Sequence, residues 1–234
     1  MADVSRETSA VPDPAVLAEI FPPTRLSLLG AYAELLATEG VTRGLIGPRE
    51  VPRLWDRHLV NCGLLAPLVP ADAGVADLGS GAGLPGLVLA IARPDLHVTL
   101  VEPMARRVEF LEEAIGSLAL ESVEVVRARA GQWSDAPSFD VVTARALAAL
   151  PKLLGWAMPL VADAGVLLAM KGATAADEIE AAGAELRRWR ARADVVTSSV
   201  PGSSVTTVVR VARGLGAGLG WTPSSTRPRR RGRA

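Results

Sequence analysis

The chain has 234 residues, 49% hydrophobic and 21% charged, enough to bury a substantial core in one domain with an extension. Its 25 basic and 25 acidic residues cancel, yet five arginines (Arg227, Arg229, Arg230, Arg231 and Arg233) and no acid fall in the last 21 residues, which leaves a body of net −5. The single cysteine, Cys62, excludes an internal disulfide and any multi-cysteine zinc site, and reads as a small core residue on a helix.

The opening stretch MADVSRETSAVPDP has early acidic residues and no apolar segment, so no secretory signal is expected. Helical spacing runs over Pro14–Phe21, over Thr24–Glu39 with Leu26, Leu29, Tyr32, Ala33 and Leu36 on one face, and over Pro52–Leu68. These three helices are the expected N-terminal extension, residues 1–73, covering one side of the remaining chain. From Val75 onward short β-rich runs alternate with helical ones, the pattern of a parallel sheet with crossover helices. Strands are predicted at Val75–Leu78, His97–Val101, Val123–Arg127, Phe139–Thr143 and Gly165–Met170. The helices that go with them are Leu84–Ala92, Pro103–Leu118, Pro151–Val161 and Thr174–Arg192. Two further strands, Val195–Val200 and Val205–Val211, flank the turn residues Pro201-Gly202-Ser203-Ser204 and predict an antiparallel hairpin. Residues 74–213 thus form the expected α/β domain, and the tail GLGAGLGWTPSSTRPRRRGRA, residues 214–234, is expected to be disordered. The most apolar later stretch, Leu147–Met170, is broken by Pro151, Lys152, Pro159 and Asp163 and does not predict a membrane span. A cytoplasmic protein is the expectation.

The first predicted strand runs into GSGAGLPG, with glycines at 79, 81, 83 and 86, and then into a helix. Small residues at a strand–turn–helix junction let a nucleotide-like ligand approach the backbone. Gly81-Ala82-Gly83-Leu84-Pro85-Gly86 also satisfies the dinucleotide fingerprint, which by itself is a weak signal. Glu102 ends the second strand 19 residues beyond Gly83, where a carboxylate can accept both hydroxyls of a ribose, in a dinucleotide or in S-adenosylmethionine alike. Asp77 lies two residues before Gly79, where it would repel a pyrophosphate and attract the ammonium and sulfonium of S-adenosylmethionine. The acidic pair therefore favours the methyl donor over a nicotinamide cofactor. A nicotinamide-dependent oxidoreductase and a non-catalytic RNA or ribosome-assembly binder remain as alternative readings.

The run VADLGSGAGLPGLVLAIARPDLHVTLVEPMARRVEFLEEA resembles the RsmG (GidB) family, bacterial methyltransferases that modify N7 of a guanine in the 530 loop of 16S ribosomal RNA. The likeness extends over about Leu54 to Arg213 and includes WDRHLVNCGLLAPLVP, GSGAGLPG, RRVEFL, ARALAAL and LLAMKG. It implies a class I S-adenosylmethionine-dependent methyltransferase fold, Rossmann-like, with a seven-stranded and mostly parallel sheet whose last strand is antiparallel. It also implies cofactor contacts at Gly79, Leu84, Ala130, Gly131 and Arg145, with the adenine beside Ala130, in addition to Asp77, Gly81, Gly83 and Glu102. The family usually has Glu where this chain has Gly131, and its Asn-Leu-Thr segment reads GLIG, residues 44–47, in this chain. The implied partner is 16S ribosomal RNA or the small subunit; the arginine tail lies outside the region of likeness, and its charge beside a body of net −5 is what makes an RNA tether the expectation for it.

Guanine N7 carries an in-plane lone pair and no proton, so attack on a sulfonium methyl needs alignment and no general base. No triad or carboxylate dyad is expected. Arg145 and Lys171 end two neighbouring strands at the edge where ligands bind, and their donors suit cofactor, guanine O6 or phosphate. His58, beside Arg57 on the last N-terminal helix, is the third candidate for substrate positioning. Arg187, Arg188, Arg190 and Arg192 read as a solvated helix face and the tryptophans as packing residues.

Overall fold

A computed structural model of the chain describes residues 11–133 and 136–213, so the arginine tail of residues 214–234 lies outside the described residues. Seven strands form one sheet: β1 (Gly74–Leu78), β2 (His97–Val101), β3 (Val123–Val126), β4 (Phe139–Arg145), β5 (Val161–Lys171), β6 (Ala191–Ser198) and β7 (Thr206–Arg213), in the order β3-β2-β1-β4-β5-β7-β6. β1 pairs in parallel with β2 and β4, β2 with β3, and β4 with β5, whereas β7 is antiparallel to both β5 and β6.

Both faces of this sheet are covered, which is why its central strands read as nearly unbroken apolar runs. Alternation along each strand divides the core in two. Val75, Val98, Leu100, Val141, Val166 and Leu168 pack with α1 (Pro14–Ile20), α2 (Leu26–Leu35), the segment around Leu54–Leu65 that includes α3 (Asn61–Gly63), α4 (Gly86–Ala92) and α5 (Ala105–Ser117). Ala76, Leu78, Val142, Ala144, Leu167 and Ala169 face α6 (Leu150–Ala157), α7 (Ala175–Ala181) and α8 (Gly183–Arg188). The N-terminal helices share one continuous core with their face of the sheet.

Three regions depart furthest from the sequence expectation. The helix expected over Pro52–Leu68 is a succession of tighter and wider turns: 3₁₀ at Pro48–Arg53, π at Leu54–Val60, the single α turn of α3, and 3₁₀ at Ala66–Leu68. The helix expected over Thr174–Arg192 breaks at Ala182 into α7 and α8, and the chain reverses at Arg190 with φ 50° to enter β6. Pairing of β6 along the whole of β7 overrides the helix propensity of that alanine- and arginine-rich stretch. β5 begins at Val161, earlier than the expected Gly165, with a register shift between Phe139 and Val141 of β4. Among the described residues no helix is long and apolar enough to cross a membrane.

Candidate cofactor and substrate site

Strand order reverses at β1, whose neighbours β2 and β4 lead away in opposite directions, and the crevice at such a point lies beyond the carboxyl ends of the strands. The glycine loop sits there. Its first amides extend the β1–β2 pairing, since Gly79 and Ser80 N–H donate to the Val101 carbonyl at 2.8 and 3.3 Å, and Gly83 N–H closes a turn onto the Ser80 carbonyl at 2.7 Å. Gly79, Gly81 and Gly83 have φ of 68°, 58° and 94°, a region that side chains disfavour. A Cβ on Gly83 would also lie 2.4 Å from Leu87 and 3.0 Å from the Tyr32 hydroxyl. Tyr32 of α2 fastens the loop from the N-terminal side by donating to the Ala82 carbonyl at 2.7 Å. Its phenol is pushed well up, chiefly by burial, and remains protonated as that donor. Leu84, at the loop's end, is buried and precedes a cis peptide bond to Pro85.

Asp77 is fully buried under this loop. Its Oδ2 accepts from Gly86 N–H at 3.0 Å, while Oδ1 has no partner and no contact with solvent. Burial pushes this carboxyl up to about 7, against the opposing pull of the Gly86 amide. Glu102, 1% exposed at the end of β2, accepts from Gly81 N–H at 3.1 Å and from Met104 N–H at 3.0 Å, with Arg107 Nη1 at 3.5 Å from Oε2. Each carboxylate oxygen keeps a second lone-pair direction for a ribose hydroxyl. The orphaned acceptor at Asp77, the left-handed glycines and the anchored carboxylate at Glu102 fit S-adenosylmethionine, whose amino acid end carries an ammonium group and whose ribose is a diol.

Arg145 ends β4, next to the end of β1, through the pairing of Leu78 with Ala144. Its guanidinium donates to His58 Nδ1 and, at 3.4 Å, to Cys62 Sγ. His58 Nε2 in turn donates to Glu50 Oε2 at 3.0 Å, and Arg57 reaches Glu50 Oε1 at 3.3 Å. Burial and then the Arg145 charge hold the imidazole below its ordinary value, whereas the His58 hydrogen bond lowers Glu50. Burial pushes the Cys62 thiol up to about 11, so it stays neutral beside Arg145. Two of the three candidate positioning residues, Arg145 and His58, are thus in direct contact. The third, Lys171, ends β5 with its ammonium committed to the Ala148 carbonyl and Glu178 Oε2, both at 2.7 Å. Glu178 also accepts from Leu150 N–H at 2.8 Å, so Lys171 ties α6, α7 and the loop after β4 together.

Ala130 and Gly131 come after β3. Gly131 has φ 82°, and a Cβ on it would fall 2.3 Å from the Trp156 indole, so this tryptophan fills the place in which a side chain at residue 131 would start. Trp156 itself lies under the Lys152 ammonium, 4.9 Å from the ring centre. Glu50, Tyr32 and Trp156 carried no signal of a site role in the sequence, because each acts through a partner brought close only by the fold.

Beyond the carboxyl ends of the strands stand Arg106, Arg127, Arg129, Arg145 and Lys171, together with the acids Glu102 and Glu178, whereas Asp72, Asp95, Glu121, Asp140 and Asp163 stand at the amino ends together with Arg93, Arg190, Arg192 and Arg213.

Residues 25–204 match the family described as rRNA small subunit methyltransferase G (GidB). A protein of Nocardioides sp. named ribosomal RNA small subunit methyltransferase G is 57% identical over 232 residues, covering 98% of this chain and 91% of its own length. One of the same name from Thermobifida fusca is 56% identical over 197 residues and 82% of each chain. Among solved structures, a predicted O-methyltransferase from Agrobacterium tumefaciens aligns with a TM-score of 0.53 at 19% identity over 67% of this chain and 81% of its own. A precorrin-6y C5,15-methyltransferase from Geobacter metallireducens aligns at 0.51 and 16% identity over 73% and 91%, and at such identities these two share the fold alone. The chain belongs to the rRNA small subunit methyltransferase G family.

Proposed function

We propose that the protein transfers a methyl group from S-adenosylmethionine to N7 of a guanine in the 530 loop of 16S ribosomal RNA, in the cytoplasm. The observation that carries the cofactor is the buried Asp77 Oδ1 without a partner at the foot of the glycine loop. A cationic ammonium satisfies that oxygen, and a pyrophosphate does not. When bound, S-adenosylmethionine supplies an electrophilic methyl on a sulfonium.

The chain's own residues then bind and orient. Asp77 holds the ammonium, Glu102 the ribose hydroxyls, and Gly79, Gly81, Gly83 and Leu84 the loop wall, with Ala130 and Gly131 beside the adenine. Arg145, its guanidinium fixed by His58 and Cys62, aims its remaining donors at guanine O6 or a flanking phosphate. Guanine N7 has no proton to remove, so no residue is assigned as a base, and catalysis is alignment. Lys171 acts by holding the loop after Arg145. Arg106, Arg127, Arg129 and Arg145 at the ligand-binding edge give a polyanion a place to dock on a body of net −5. The arginine tail adds a tether.

Mapping N7-methylguanosine in 16S ribosomal RNA from cells with and without the gene tests this reading. Loss of one such site, restored by the wild type and not by Arg145→Met, is expected. An unchanged map overturns it.

A further inference from the structure

We propose that Glu50 is a positioning residue for methyl transfer, acting through His58 to hold the Arg145 guanidinium in place. This role rests on the reading of Arg145 as a group that touches the substrate.

Donors and acceptors decide the geometry. Arg145 has only donors, so the His58 atom that meets it, Nδ1, must present a lone pair. A neutral imidazole does so only when its proton sits on Nε2. The group that keeps it there is Glu50, whose Oε2 accepts from Nε2 at 3.0 Å. Glu50 is in turn oriented by Arg57 at 3.3 Å, on the π turn that carries His58. Without the carboxylate, the imidazole is free to place its proton on Nδ1, which would then confront the guanidinium donor to donor. Arg145 would keep only the weak thiol acceptor of Cys62, at 3.4 Å. The relay brings together residues 87 apart in sequence, from the N-terminal helical segment to the end of β4.

Protonation of His58 has the same consequence as the wrong tautomer, since both ring nitrogens become donors and a second positive charge faces Arg145. The groups around the imidazole are Glu50 from the preceding turn, Arg57 on its own segment and Arg145 from β4, with Cys62, Tyr32 and Asp77 packed behind Arg145. Cys62 and Tyr32 stay protonated through neutral pH, whereas Asp77 titrates there. A readout specific to the imidazole is therefore needed.

The chain's two histidines make that readout direct, because His97, at the exposed start of β2, supplies the only other imidazole signals. ¹⁵N NMR of the full chain reads the tautomer, and single-turnover methylation across pH reads the consequence. In the wild type His58 is expected as the Nε2–H form. Glu50→Ala is expected to populate the Nδ1–H form and to lower the transfer rate about tenfold or more, the scale for loss of an orienting outer partner. Binding of S-adenosylhomocysteine should be little changed. Glu50→Gln, whose amide oxygen still accepts from Nε2, is expected to keep the tautomer and most of the rate. Its acid limb should move to lower pH, because Glu50 no longer favours protonated His58. Should the Ala variant fail to fold, the Gln variant carries the test through that shift. A Glu50→Ala protein with the wild-type tautomer and full rate overturns the proposal. So does a loss of rate that tracks lost stability in both variants with the acid limb unmoved, which would make Glu50 a structural brace. Full activity in Arg145→Met overturns the reading of Arg145 itself, whereas an inactive Arg145→Met beside a fully active Glu50→Ala overturns only the relay.

Discussion

The Gly86 amide donates to one oxygen of Asp77 at 3.0 Å, and the other oxygen of the same carboxyl is buried without a partner. Burial raises the carboxyl to about 7 in the folded chain, from an ordinary value of 3.8. The folded state therefore holds a proton that the unfolded state has released, so the stability of the ligand-free protein falls as pH rises from about 4 to about 7 and then levels off. Affinity for the cationic cofactor runs the opposite way, rising with pH until Asp77 is ionised. Asp77→Asn, which still accepts from Gly86, should flatten both profiles and bind the cofactor weakly. Thermal unfolding and calorimetry with S-adenosylmethionine across this range check the pair of slopes, and parallel slopes in wild type and variant would refute the assignment.

Glu102 is anchored by two backbone amides, and its free lone pairs are the ones offered to ribose. Glu102→Ala should weaken S-adenosylhomocysteine binding by about 1.5–3 kcal/mol, the range for hydrogen bonds to a charged group. Glu102→Gln keeps one acceptor and should cost less, although its NH₂ must face either the Gly81 or the Met104 N–H. Unchanged affinity in a folded Ala variant would remove this strand end from the cofactor site.

Restoring the family's usual Glu at residue 131 should harm this chain. The left-handed φ of 82° and the Trp156 indole 2.3 Å from the would-be Cβ both oppose it. Gly131→Glu is expected to destabilise by roughly 1–3 kcal/mol, the usual cost of overpacking. Trp156→Ala should recover part of that loss in the double variant, measured by denaturant unfolding. Strict additivity would mean that the two residues do not compete for the same space.

RNA affinity should depend on salt through the arginines at the sheet's carboxyl edge. Each phosphate of single-stranded RNA that is no longer neutralised removes about 0.7 from the slope of log affinity against log salt. Arg127→Glu with Arg129→Glu should flatten that slope and weaken binding most at low salt. Deleting Arg227–Ala234 should flatten it by about two to three units while the transfer rate at saturating RNA holds. Filter binding over a salt series checks both, and slopes equal to wild type would leave these arginines without an RNA role.

The parts of the molecule that depend on near neighbours in sequence were the legible ones. The Gly79–Gly86 loop, the alternation of β1 to β5 and the turn at Pro201-Gly202 each declare themselves within a few residues. Features that depend on distant partners did not. Ala191 and Arg192 carry no strand signal of their own and are drawn into β6 by β7. Lys171 reads as a free cation at a strand end until Glu178, seven residues on, folds back to meet it. Glu50 acquires meaning only after His58 and Arg145 have been brought together.

The placement of β7 bears on how the molecule is made. Strands β1 to β5 can pair as they are synthesised, since each of β2 to β5 finds a partner strand that has already emerged. β6 cannot, because its neighbour in the sheet is the strand that comes after it, and the outer edge of β5 waits for the same strand. Until Thr206–Arg213 has emerged, both present open hydrogen-bonding edges, the arrangement most prone to mispairing with other chains. A chain cut short within the hairpin would thus be a substrate for chaperones and proteases, and its loss would look in the cell like absence of the gene product, with the glycine loop and Arg145 both intact in its sequence.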